Sequence, residues 1–226
     1  MRIKIEYEYV ISFRKLLFGL IFPISIISTS SGTTLNTIPA SATELYGKED
    51  SLLKDKEGNK YSIKIFSGNT IWMTSNLKLN IPGSYCYDNE QMHCNQYGRL
   101  YTWEAAQQGC AQLGVGWRLP SKIDWQLLIS NFIDNPADTL ANRKTAYKEL
   151  ILGGKSKFNA LLGGGRNSED TFKRVDEHGF YWTAGSIDKT QAWYYNFGKG
   201  SLALYLQNEG EKSMAISVRC VKYQDR

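Results

Sequence analysis

The sequence predicts an α+β domain in which two helices pack on antiparallel strands and disulfides staple the fold. Three observations point to it. Strand-like alternation frames both ends of the region after residue 52, two capped stretches of helical period lie between, and four Cys fall in an ordinary globular composition, 42% hydrophobic and 22% charged.

The first element is a hairpin. Lys56-Glu57-Gly58-Asn59 reads as a turn, Tyr61 to Ile65 alternates apolar with polar, and Ser67-Gly68-Asn69 reverses the chain into Ile71-Trp72-Met73. Thr102 then suits the N-cap of a first helix, in which Trp103, Ala106, Cys110 and Leu113 recur at spacings that place them on one face, with Gly114 able to end it. Ser121 followed by Asp124 resembles a capping box, and Trp125, Leu128 and Phe132 continue at helical spacing, so a second helix is expected from Lys122 to about Ile133. Between Asn135 and Ser156 the pattern weakens, with a short helix conceivable from Tyr147 to Leu152. Strands are expected at Gly179–Thr183, Ala192–Phe197, Leu202–Leu206 and Ala215–Val221. In the last of these Ile216, Val218 and Cys220 share a face, because side chains alternate along a strand.

Three segments follow from this reading: a signal peptide over 1–31, a linker over 32–51 and the domain over 52–226. Arg14 and Lys15 precede the apolar run Leu16–Ile27, and small polar residues follow, the order of a secretory signal. About 20 apolar residues are needed to cross the hydrocarbon, and this run is shorter and broken by Pro23, so the mature protein is expected to have no membrane span. The Ser- and Thr-rich stretch after it reads as a tether. Secretion or cell-surface retention is the expected localisation.

Four Cys in an exported chain point to disulfides, with three pairings possible. Spacing favours Cys86 with Cys94 across a polar loop, and Cys110 in the first helix with Cys220 in the last strand. A metal site from Cys86, His93 and Cys94 is the competing reading. Adjacent ligands fit one tetrahedral ion poorly and no paired C-x-x-C spacing is present, so no metal and no cofactor are expected.

Charge narrows the partners. Of 27 bases and 22 acids, four and two respectively precede residue 32, which leaves a surplus of about +3, too small and scattered for nucleic acid.

Four phrases carry a family resemblance: Ile71-Trp72-Met73-Thr74-Ser75-Asn76-Leu77, Tyr97-Gly98-Arg99-Leu100-Tyr101-Thr102-Trp103-Glu104-Ala105-Ala106, Gly116-Trp117-Arg118-Leu119-Pro120-Ser121 and Ser217-Val218-Arg219-Cys220-Val221. Together and in this order they resemble the Fibrobacter succinogenes major paralogous domain, over about Lys54 to Tyr223. Through Gly116–Pro120 that family is similar to the sulfatase-modifying and formylglycine-generating domains. The resemblance therefore implies a C-type-lectin-like fold, and such a fold implies the long Cys110 to Cys220 link.

Catalysis is not expected. His93 and His178 stand in no recognisable constellation, the acid pairs Glu169-Asp170 and Asp176-Glu177 read as solvated loops, and no Cys remains spare for formylglycine-type chemistry. The Pro-centred and Trp-Asn-Asp motifs of calcium-dependent lectins are missing. What remains is a recognition module that binds a glycan or protein on the cell exterior. A structural surface protein is the alternative, and an enzyme or accessory of the sulfatase-modifying type a distant third. The expected contact residues are Arg166 and Asn167, after the run Gly163-Gly164-Gly165, with the aromatics Trp193 and Tyr195. The competing reading gives the glycines to a bulge or bend, the aromatics to the core, and Arg166 with Asn167 to a loop inside the fold.

Overall fold

The structure is a computed structural model that describes residues 51–66, 69–134 and 137–224. All of these belong to the compact unit Leu45–Arg226. The expected signal peptide and all of the linker before Ser51 lie outside the described residues.

The chain opens with β1 (Ser51–Lys54), β2 (Lys60–Phe66) and β3 (Thr70–Met73). Asp55 shapes the turn between the first two. Its carboxylate accepts from the backbone of Glu57 and Asn59 and from the Tyr61 hydroxyl at 2.6 Å. The short β4 (Ser84–Tyr85) pairs with β5 (Leu100–Tyr101). Between them the expected polar loop is helical, with a 3-10 turn at Tyr87–Asn89 and α1 (Gln91–Tyr97), because the bond from Cys86 to Cys94 closes the segment into one compact turn.

Two helices match expectation closely. In α2 (Trp103–Ala111) the Thr102 side chain accepts from the Ala105 N–H, and Ala106 and Cys110 are buried. In α3 (Lys122–Ser130) the Ser121–Asp124 capping box forms, although the helix ends three residues before Ile133. Phe132 still packs against the core beyond the end.

The region of weak pattern holds α4 (Leu140–Leu150), which starts seven residues before the expected Tyr147. Only Ala146, Tyr147 and Leu150 of it are buried, so its sequence shows little apolar period. Two helices were expected and the described residues hold four, so the α+β class stands with a larger helical share.

The second half forms a five-stranded sheet in the order β10-β9-β8-β6-β7, from β6 (Gly163–Arg166), β7 (Phe172–Val175), β8 (His178–Ser186), β9 (Gln191–Gly198) and β10 (Ala203–Glu211). All its pairings are antiparallel except β6 with β8. The last strand, β11 (Val221–Tyr223), returns to pair with β3, so both ends of the domain meet in the sheet β1-β2-β3-β11.

One expectation needs correction. Residues Ala215–Cys220 form no regular strand, and from Ala215 to Val221 every residue is buried whichever way it points. The segment runs between the sheets and bonds in turn to Arg166, Tyr101, Phe180, Leu77 and Met73. Cys220 within it is bound to Cys110 of α2, as expected.

Arg219 lies in this segment at 1% exposure. Its guanidinium donates to Asn76 Oδ1 at 2.6 Å, to the carbonyls of Phe158 and Asn159 at 2.7 Å each, and to that of Met73 at 3.3 Å. Phe158 and Tyr181 present their rings to it. Beside it, Trp72, Trp125, Phe158, Tyr181, Tyr195 and Phe197 form an aromatic core, with Trp125 and Tyr195 only 4.8 Å apart. Among the described residues no helix is long and apolar enough to cross a membrane.

Candidate functional site

The run of three glycines makes a bend. Gly164 has a left-handed φ of 61°, and a Cβ there would meet the Lys173 carbonyl at 2.5 Å. Its neighbour Gly165 is closely packed: a Cβ there would meet Ile216 Cγ2 at 3.1 Å and Phe180 Cδ2 at 3.4 Å. Gly165 lines a pocket of about 110 Å³ walled by Phe180, Met214 and Ile216, with Arg166, Asn167, Lys173 and Arg174 around it.

Arg166 and Asn167 are largely engaged by the fold. Arg166 pairs with Asp170, lies 4.0 Å from the Tyr85 ring centre, and keeps a side chain only 15% exposed. Asn167 Oδ1 accepts from the N–H of Thr171 at 2.8 Å and of Glu169 at 3.2 Å, which sets the turn from β6 to β7.

Trp193 and Tyr195 stand elsewhere. In β9 successive side chains face opposite ways, and Tyr195 is paired with Tyr181 on the face that packs against Trp125 of α3. Tyr195 is 4% exposed, and burial pushes its hydroxyl pKa up. Trp193 carries the Lys122 ammonium 3.8 Å from its ring centre. The four expected contact residues therefore do not share one surface.

The residues that share a face with the pocket have the other parity. Phe180 is directly opposite Asn196, and Trp182 opposite Tyr194, in the β8–β9 ladder. His178 stacks on Phe180 at 5.3 Å, and Phe180 meets Tyr194 edge-on at 5.9 Å. His178, Phe180, Tyr194 and Asn196 are each half-buried, whereas Trp182 is fully covered. The result is a row of partly open rings running from the pocket across the sheet. Of Gln191–Gly198, Tyr195 and Phe197 belong to the aromatic core, whereas Tyr194 lies partly covered on the other face against Trp182 and Ala192, and alternation in the sequence does not tell the two faces apart.

A second, larger cleft of about 690 Å³ lies between α3, α4 and β10. Arg143 and Asp138 form a two-pronged ion pair there at 2.6 and 2.7 Å, and Arg143 also covers the Tyr205 ring. Arg143 holds the Asp138 carboxyl below the usual carboxylate range. Its charged groups are thus engaged with one another.

Among the described residues no group of three or more His, Cys, Asp or Glu side chains comes together to hold a metal. The Cys86–His93–Cys94 set is spoken for, since the two thiols form a disulfide and His93 Nδ1 lies 2.9 Å from the Tyr87 carbonyl. Rings for stacking and cations for an anion are what the pocket face offers chemically.

A family model described as the Fibrobacter succinogenes major domain matches residues 58–222. A search of curated proteins finds no match to the chain.

Proposed function

The chain belongs to the Fibrobacter succinogenes major domain family, and on that premise we propose that it is an exported, non-catalytic recognition module of C-type-lectin-like build that binds a glycan or protein outside the cell. The observation that carries this reading is the row His178, Phe180 and Tyr194, half-open and continuous with a pocket whose mouth is basic. Aromatic faces beside polar groups gain from covering a ligand's apolar side while its polar edges stay bonded.

Two further features support export and build. Both Cys pairs are oxidised, which suits an oxidising compartment. A helix tied to the final extended segment, and the two ends of the described domain meeting in one sheet, accord with a C-type-lectin-like arrangement.

The test is binding of the exported protein to immobilised glycans and cell-surface proteins, with Tyr194→Ala as control. Saturable binding that this variant weakens about tenfold per folded molecule, beyond the stability it loses through its contacts with Phe180 and Trp182, is the expected result. No saturable binding to either class would leave a structural surface role in its place.

A further inference from the structure

The pocket mouth and the aromatic row differ in charge, and that difference selects a ligand. Gly165 and Lys173 oppose each other in the β6–β7 ladder and both line the pocket. Of the three cations around the pocket, Arg166 is paired with Asp170 and Arg174 with Glu177. Lys173 is exposed and has no ion-pair partner among the described residues.

Size and pairing restrict the occupant further. A hollow of about 110 Å³ holds the equivalent of roughly three or four water molecules, enough for a substituent and too little for a whole sugar ring. The ring would lie outside, over Phe180 and Tyr194. A peptide added as a strand would have to pair at an edge, β7 or β10, because β8 and β9 are paired on both sides, and it would then leave the rings of Phe180 and Tyr194 unused. Stacking surface and one unengaged cation are what this face presents.

Granted the recognition reading above, we propose that the ligand is an acidic saccharide, its ring on Phe180 and Tyr194 and its anionic substituent at Lys173. A uronate carboxylate and a sulfate ester share the required chemistry. Glu209, whose charge adds to burial in raising the Tyr194 hydroxyl pKa, makes the far end of the row unfavourable to the anion and so orients the chain of sugars.

Calorimetric titration of the whole exported protein with three tetrasaccharides tests this: one of galacturonic acid, one of sulfated galactose and one of neutral galactose. The expected result is binding to at least one acidic probe, weakened roughly tenfold by Lys173→Ala and more by Lys173→Glu, with melting temperatures unchanged because Lys173 lies on an exposed edge strand. Comparison of the two acidic probes assigns the anion. If the neutral probe binds as tightly as both acidic ones and Lys173→Ala alters nothing, the acidic class is wrong while saccharide recognition stands. If none of the three binds but an immobilised protein does, the saccharide class itself falls.

Discussion

Arg219 is where one side chain decides most. A buried guanidinium with no carboxylate beside it is costly, and burial lowers its pKa. Four oxygens from two separate parts of the chain offset that cost: Met73 at the end of β3 with Asn76 just after it, and Phe158 and Asn159 before β6. Replacement by Met removes the donors and leaves buried carbonyls unsatisfied, at about 1–3 kcal/mol each before relaxation. We expect Arg219→Met to lose about 3–5 kcal/mol in urea unfolding. Arg219→Lys should recover little of it, since a single ammonium cannot serve oxygens spread across a planar fork. A loss under about 1 kcal/mol for either variant would show that the oxygens find other donors. Alternation within Ser217–Val221 shows that Arg219 lies opposite Val218 and Cys220. It does not reveal that this opposite face is also interior, because the accepting carbonyls lie about 60 and 146 residues away in sequence.

At the scale of elements, the start of α3 shows how a local motif gains from a distant partner. Asp124 has a fully buried side chain that accepts from the Ser121 N–H and hydroxyl at 2.6 Å each and from Arg118 at 2.7 and 2.9 Å. Burial alone would raise its pKa, but the bonds from Arg118 and Ser121 outweigh it and hold the carboxyl below its ordinary value. A carboxyl depressed in the folded state stabilises above its unfolded pKa of about 3.9, and that contribution fades as pH falls through the folded value. Asp124→Asn should therefore cost about 2–4 kcal/mol at pH 7, and the gap to the unaltered protein should narrow in urea unfolding near pH 2. A gap that stays constant with pH would assign the loss to helix capping alone. The capping box itself is legible from Ser121 and Asp124, whereas α1 and α4 are not. The first is imposed by the Cys86–Cys94 closure, and the second buries too few residues to leave a period.

For the molecule as a whole, the two disulfides carry unequal weight. Cys110–Cys220 spans 110 residues and Cys86–Cys94 spans 8. In the chain-entropy model these closures remove about 4–5 and about 2–3 kcal/mol of unfolded-state freedom. The double variant Cys110→Ala/Cys220→Ala should accordingly lower the denaturant midpoint further than Cys86→Ala/Cys94→Ala does. The longer link also joins α2 to the segment that threads between the sheets, so its loss weakens packing that the shorter link does not reach. A larger loss from the Cys86 pair would place the weak point of the fold at the α1 turn instead.

The sequence by itself determined the α+β class, the opening hairpin, the helices at Trp103 and Lys122 and both disulfide pairs. Each rests on short-range chemistry, a cap, a period or a turn, or on a pairing that few Cys can satisfy. Only the tertiary structure decided which parity of β9 faces the pocket and that Arg166 and Asn167 serve the β6–β7 hairpin. It also decided that one pocket is lined by Gly165, Phe180 and Lys173 together. Alternation divides a strand into two faces, but it does not say which one another element will cover. That depends on the packing of α3 and of residues 215–221, parts of the chain far from β9 in sequence, and so it is settled only when the chain has folded.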